Sequence, residues 1–321
     1  MKKLTAAILA SALSACAAVP YSASAATLGV DVGTIVYDTT SSSRYSSIIN
    51  DDIEAVAVIS AIESTGNYVY IPDTTIYDSK NTAFVSLGMK ALALNTEINS
   101  IRLPSYLVDI DDYAFQGCLN LDGVELPSSL KSLGIGSFMS CTSLTSIDLS
   151  GTGEALTEIP ARCFYSCTSL GKVTIGDNIT TIGGEAFFGC PVLDITIPPT
   201  VTNIGKNAIG VHAEPHTSEI VNYQKVVIRG ETGSYAESYA LANGIDFLDE
   251  NNCIMGDIDG NGLLSSVDAS AVLRAYSNMA TGNDSGMSIK QEYLADINGD
   301  KQITAADASA ILSEYAKSAT K

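Results

Sequence analysis

The segment Phe115-Gln116-Gly117-Cys118-Leu119-Asn120-Leu121-Asp122-Gly123-Val124-Glu125-Leu126-Pro127 decides the architecture, because its key positions recur down the chain. Phe138, Phe164 and Phe187 repeat the Phe, and each stands three residues before Cys141, Cys167 or Cys190. The four cysteines are spaced 23, 26 and 23 residues apart. Leu121, Leu144, Leu170 and Leu193 follow them by three residues. A short β-type run comes next: Val124-Glu125-Leu126, Ile147-Asp148-Leu149, Val173-Thr174-Ile175 and Ile195-Thr196-Ile197. A turn often marked by Pro (Pro104, Pro127, Pro198) and an apolar-Gly pair (Leu133-Gly134, Ile182-Gly183, Ile204-Gly205) close the units.

A unit of about 23 residues cannot bury its apolar face alone and must stack on copies of itself. Strands of successive units then pair in parallel, with alternate residues turned into a shared core. The Phe positions are expected to form a spine and the Cys positions a ladder beside it. Three extra residues near Gly151-Thr152-Gly153 are expected to bulge as a loop. Ala91 to Asn95 aligns with Ala114 to Cys118, so a degenerate unit precedes the regular ones, with Asn95 in the Cys place. Alternation turns outward Ser100 and Arg102, Gly123 and Glu125, Ser146 and Asp148, Lys172 and Thr174, and Asp194 and Thr196. Only Arg102 among them is of a type that dominates binding hot spots.

This pattern resembles the leucine-rich repeats of the BspA-like, treponemal type, over roughly residues 70 to 248. The resemblance implies a solenoid of short parallel strands over 70–250, closed by a helix around Tyr235 to Ala240 and a last strand near Phe247. Tyr235, Ala236, Tyr239 and Ala240 share one helical face, and Asn243-Gly244 is a stop signal. Residues 26–69 are read as the opposite cap. The six cysteines after a leader could pair as disulfides in a secreted chain. Thiols at equivalent buried positions instead act as small hydrophobes, which favours free Cys118, Cys141, Cys167 and Cys190. Cys163 and Cys253 stand outside the ladder.

Residues 1–25 read as a signal peptide. Lys2 and Lys3 precede an apolar run from Leu4 to Val19, and Ala23-Ser24-Ala25 is a small-x-small cleavage site. Leu13-Ser14-Ala15-Cys16 also fits a lipoprotein processing box, with Cys16 as the lipidated residue. The formal charge of −19 argues against a nucleic-acid partner, whose phosphates need a basic footprint. No segment reads as a transmembrane helix.

The strongest chemical signal follows residue 254. Two segments 39 residues apart match: Asp257-Ile258-Asp259-Gly260-Asn261-Gly262-Leu263-Leu264-Ser265-Ser266-Val267-Asp268 and Asp296-Ile297-Asn298-Gly299-Asp300-Lys301-Gln302-Ile303-Thr304-Ala305-Ala306-Asp307. The match continues through Ala269-Ser270-Ala271 and Ala308-Ser309-Ala310, and ends on Tyr276 and Tyr315. A calcium loop supplies oxygens from its positions 1, 3, 5, 7, 9 and 12. In the first loop these are Asp257, Asp259, Asn261, the Leu263 carbonyl, Ser265 and Asp268. In the second they are Asp296, Asn298, Asp300, the Gln302 carbonyl, Thr304 and Asp307. Two Ca²⁺ ions are therefore expected. Gly262 suits the sharp turn at position 6 and Lys301 does not, so the second loop is expected to be strained. Val272 with Tyr276, and Ile311 with Tyr315, are read as core pairs one helical turn apart.

Residues 254–319 closely resemble a dockerin, with an Asp-Ala-Ser-Ala-(Val/Ile)-Leu stretch like that of ruminococcal cellulosomes. The resemblance implies a small all-α, EF-hand-like, calcium-dependent fold that binds a scaffold cohesin through a helix face. It also implies partner contacts at Ser266, Val267, Arg274, Ala305 and Ala306; these pairs differ between the halves, as do Arg274 and Ser313, so the two halves are not expected to bind equally well. A dockerin often carries an enzyme, yet no nucleophile elbow, P-loop or dinucleotide fingerprint is present. His212 and His216 flank Pro215, and Glu154 with Glu158 is the nearest thing to a carboxylate pair; both read as solvated surface. The expectation is a secreted, non-catalytic, cellulosome-type subunit whose repeats bind an unidentified protein or glycan. An unrecognised hydrolase or a cell-surface adhesin or spacer is the alternative.

Overall fold

The computed structural model describes residues 24–27, 34–40, 45, 47–50, 52–63, 67–77, 79–192, 194–213, 220–222 and 226–318. Cys16 and most of the expected leader, Leu193, His216 and residue 319 lie outside them. The chain divides into two compact units, Met1–Val192 with Thr200–Val221, and Leu193–Pro199 with Asn222–Lys321.

The first unit opens with β1 (Ser24–Thr27), β2 (Thr34–Thr40), β3 (Ala55–Glu63), β4 (Tyr68–Tyr70), β5 (Thr74–Tyr77) and β6 (Lys80–Leu87). Each repeat then supplies two short strands. They are β7 (Ser100–Arg102) and β8 (Asp109–Ile110), β9 (Gly123–Val124) and β10 (Ser132–Leu133), β11 (Ser146–Asp148) and β12 (Glu158–Ile159), and β13 (Lys172–Thr174) and β14 (Thr181–Ile182). β15 (Asp194–Thr196) falls in the second unit, and β16 (Asn203–Ile204), β17 (Val211–Ala213) and β18 (Ile220–Asn222) follow. Parallel ladders β4-β7-β9 and β11-β13 form one side, and β6-β8-β10 and β12-β14-β16 another. β1, β2 and β3 pair antiparallel, and β3 joins β6 in parallel, so the cap extends a repeat ladder directly.

The spine is a stack of rings. Phe115, Phe138, Phe164 and Phe187 are fully buried. Their centroids lie 4.8, 5.4 and 5.3 Å apart in turn, with planes within 10°. Such offset stacks add about 0.5–1.5 kcal/mol each beyond burial. The thiol ladder runs alongside. Each Cys Sγ–H donates to a carbonyl of the preceding unit: Cys118 to Leu92 O (3.3 Å), Cys141 to Phe115 O (3.2 Å), Cys167 to Phe138 O (3.1 Å) and Cys190 to Phe164 O (2.9 Å). A small polarizable donor thus satisfies a buried carbonyl at every step. All six described cysteines are free, and Cys163 is buried with its Sγ 3.3 Å from Ser137 Oγ. In the degenerate unit Asn95 turns its Oδ1 to the Glu97 and Ile98 N–H groups instead.

The Gly of each apolar-Gly pair has a steric cause. An added Cβ would stand 2.2 Å from Asp112 N at Gly134, 2.4 Å from Ala161 N at Gly183 and 2.4 Å from Gly184 N at Gly205. Consecutive backbones approach too closely there for any side chain.

The second unit contains the sheet β15-β19-β20, where β19 is Val227–Arg229 and β20 is Asp246–Leu248. Four helices complete it: α1 (Tyr235–Ala242), α2 (Ser266–Ala280), α3 (Ile289–Ala295) and α4 (Ala305–Ser318). α1 buries Ala236, Tyr239 and Ala240, as its periodicity implies. Tyr235, expected on the same face, is instead 43% exposed, because it is the first residue of the helix and lies off the buried stripe. The architecture is a stack of repeats with short parallel strands, followed along the chain by a small helical module.

Candidate metal centre and docking module

Both loops are held by their own side chains, position for position. Asp257 Oδ1 accepts from the Gly260 and Asn261 N–H groups, and its Oδ2 from Gly262 N–H. Asp296 Oδ1 likewise accepts from Asp300 N–H, and its Oδ2 from Lys301 N–H. Asp259 Oδ1 receives Asn261 N–H as Asn298 Oδ1 receives Asp300 N–H. Asn261 Oδ1 receives Leu263 N–H as Asp300 Oδ1 receives Gln302 N–H. Ser265 N–H and Oγ–H both donate to Asp268 Oδ2, and Thr304 N–H and Oγ1–H to Asp307 Oδ2. Ser265 is therefore N-cap of α2 and Asp268 its capping-box partner, so one pair of side chains ends the loop and starts the helix.

Among the differences between the loops, two bear on ion binding. Asp268 Oδ1 accepts from Ile258 and Asp259 N–H, whereas Asp307 Oδ1 is buried with no hydrogen-bond partner. Position 6 also differs: Gly262 has φ +83°, and Lys301 is driven to φ +65°. A side chain in this left-handed region costs about 1–2 kcal/mol.

Asp268 and Asp307 are fully buried and Asp257 nearly so. Carboxylate oxygens of Asp257, Asp259 and Asp268 all lie within 4.8 Å of one another. At an effective dielectric of about 20, two unit charges at that distance repel by about 3.5 kcal/mol. The buried pair Asp257 and Asp268 carries most of this, since the exposed Asp259 is screened by water. A hard divalent cation among all-oxygen donors would reverse the sign. In the second loop Asp296, Asp300 and Asp307 form no equally tight trio, but the orphaned Asp307 oxygen is a polar atom that a cation would satisfy. The donor sets of both loops thus fit Ca²⁺.

The residues expected to touch a partner are at the surface: Ser266, Val267, Arg274, Ala305 and Ala306 are all exposed. A cavity of about 380 Å³ lies between Val267, Arg274 and Gln291 on the α2 side. The tyrosine core pairs are a correction. Val272 and Ile311 are fully buried, but Tyr276 is 43% and Tyr315 42% exposed. The buried stripe of α2 runs Asp268, Ala269, Val272, Ala275 and so passes Tyr276 on its inner side. With Leu273 and Leu312, also exposed, the two tyrosines give both helices an outward apolar face.

On the repeat sheet, Arg102, Glu125, Ser146, Asp148, Lys172, Asp194 and Thr196 are exposed, and Ser100, Gly123 and Thr174 partly so. Sequence reasoning missed Tyr68 and Tyr70. β4 pairs with β7 so that Tyr68 faces Ser100 and Tyr70 faces Arg102. The Arg102 guanidinium sits 4.9 Å from the Tyr70 ring, and both tyrosines are at least 40% exposed. The stretch Tyr68-Val69-Tyr70-Ile71-Pro72 matches Ser100-Ile101-Arg102-Leu103-Pro104 and was the available signal. His212 is half-buried in β17, and Glu154 and Glu158 are exposed. Among the described residues no helix is long and apolar enough to cross a membrane.

Comparison with known proteins follows the same division. Residues 85–211 match the BspA type leucine rich repeat region, in six copies, and residues 255–314 match the dockerin type I domain. Both are non-catalytic modules, and type I dockerins in general bind calcium. No curated protein matches the chain. Among solved structures, a leucine rich cell surface protein from Faecalibacterium prausnitzii is 20% identical, covering 66% of this chain and 65% of its own, with a TM-score of 0.41. The T. pallidum leucine rich repeat protein is 20% identical over 54% of this chain and 63% of its own, with a TM-score of 0.35. A leucine-rich repeat protein from Bacteroides capillosus is 18% identical over 45% of this chain and 96% of its own, with a TM-score of 0.34. The chain therefore spans less than two thirds of the first two. Residues 85–211 belong to the BspA-type leucine-rich repeats and residues 255–314 to the type I dockerins.

Proposed function

We propose that the protein is a secreted, non-catalytic subunit of a cellulosome-type assembly. Its C-terminal module binds two Ca²⁺ ions and attaches to a scaffold cohesin, and its repeats recognise a protein or surface. The observation that carries this is the duplicated loop, whose side-chain to backbone hydrogen bonds recur at the first, third, fifth and twelfth positions. Asp257, Asp259, Asn261, the Leu263 carbonyl, Ser265 and Asp268 would hold one ion. Asp296, Asn298, Asp300, the Gln302 carbonyl, Thr304 and Asp307 would hold the other. Bound cations supply charge neutralisation; the residues supply a fixed loop and, through Ser265 and Asp268, a capped helix that presents Val267, Arg274 and Tyr276. On the repeats, Tyr68, Tyr70 and Arg102 form the part of the exposed face richest in hot-spot side chains. Calorimetry of the full chain with CaCl₂, followed by capture on a panel of immobilised cohesins with and without EGTA, tests the reading. Uptake of two ions and EGTA-sensitive capture support it; no ion uptake, or capture indifferent to EGTA, counts against it.

A further inference from the structure

Within the second unit, the terminal sheet and the loop-helix module share one core. Val227 of β19 and Leu248 of β20 lie in the same buried cluster as Ile258, Val272, Leu294 and Ile311. A module of some 60 residues buries too little apolar surface for generous stability of its own, and a sheet of three-residue strands buries less still.

A second observation is Arg229 on β19. Its guanidinium forms a bidentate pair with Asp194 of β15, at 2.6 and 2.8 Å, and also reaches Glu250. The same group lies 5.0 Å from the ring centroid of Tyr293 on α3. With its side chain only 16% exposed, Arg229 is largely desolvated, which strengthens both kinds of contact.

The connection between sheet and module is also pinned. Asp249 accepts from Thr232 N–H (2.7 Å), Asn251 N–H (3.0 Å) and Asn252 Nδ2 (2.8 Å). Gly256 N–H donates to Leu294 O at 2.8 Å. No slack segment separates β20 from the first loop.

We infer that β15, β19 and β20 open and close together with the calcium module as one cooperative unit keyed by Arg229, so that ion release loosens the end of the repeat sheet. The response to ions rests on the calcium reading above; the shared unit does not.

Native-state hydrogen exchange by mass spectrometry on the full chain tests this, in a low-urea series and separately with CaCl₂ or EGTA. Amides of Val227–Arg229 and Asp246–Leu248 should share one opening free energy with those of α2 and α4, and should lose protection with them in EGTA. Amides of β14 and β16 should be unchanged. Arg229→Ala removes the link to α3 and should uncouple the sheet, so that in this variant alone β19 and β20 exchange about tenfold faster than α2, the scale of a desolvated cation–π contact. If Arg229→Ala fails to fold, Tyr293→Leu removes the ring contact alone and should act in the same direction. Protection retained in β19 and β20 after α2 and α4 have opened overturns the inference. If EGTA leaves α2 and α4 protected, the calcium reading falls, and the urea series decides the shared unit by the same criterion.

Discussion

Replacing Gly183 by Ala tests the stacking geometry most directly. The new methyl would stand 2.4 Å from Ala161 N, 2.6 Å from Pro160 C and 2.8 Å from Ala161 Cα. These are backbone atoms of the preceding repeat, and Gly183 N–H is itself bound to Ile159 O at 2.7 Å. Carbon contacts relax near 3.5–4.0 Å, so the two backbones would have to part by roughly 1 Å. Overpacking of this kind costs about 1–3 kcal/mol. Stretching the Gly183 to Ile159 bond adds about 1 kcal/mol, for a loss of about 2–4 kcal/mol. That is a large share of the roughly 5–15 kcal/mol that holds a domain together. Gly171 supplies the control, because an added Cβ there meets nothing within 4 Å and its φ is not in the left-handed region. Gly171→Ala should be neutral or stabilising by about 0.4–1 kcal/mol. Urea unfolding of both variants, followed by circular dichroism with the m-values compared, reads the difference. Coincident midpoints, or a Gly183→Ala protein as stable as wild type, would refute the close-approach argument.

Three further outcomes are expected. Lys301→Gly releases a left-handed strain of about 1–2 kcal/mol against a chain-entropy cost of about 0.5–1 kcal/mol; the calcium-loaded module should melt slightly higher, and a lower melting temperature would contradict the assigned strain. Burial pushes the Cys163 and Cys190 thiols well up, and the neighbouring Cys118 thiol together with burial does so for Cys141. Of the six described cysteines only Cys253 should therefore label with a thiol reagent in the native protein, as read by peptide mapping; early labelling of Cys141 would argue against the ladder. Hydrogen bonds from Asn252 and Thr232 hold the Asp249 carboxyl well below the usual range. A depressed folded value means its stabilisation is complete above the unfolded value of about 3.9 and fades as pH falls below it. The acid-induced drop in melting temperature below about pH 4 should be smaller in Asp249→Ala, and an equal drop would remove Asp249 from the account.

The sequence by itself determined whatever is periodic. Stacking forces each repeat to solve the same packing problem, so Phe115 to Phe187, the thiol ladder and the apolar-Gly pairs are written at regular intervals. The two loops are legible for a related reason: cation ligation needs particular oxygens at particular spacings within one short segment. What tertiary structure decided is everything that joins residues without a shared period. Periodicity showed that Tyr276 lies one turn from Val272, but not on which side of Val272 the core falls. Tyr68 and Tyr70 lacked the Phe and Cys marks of a repeat, yet backbone pairing with β7 puts them in line with Ser100 and Arg102. Arg229 draws Asp194, Glu250 and Tyr293 together from three separate parts of the chain, so no local pattern could announce it. The energies of such contacts depend on distance in space and on the water excluded around them, and neither quantity exists until the chain has folded.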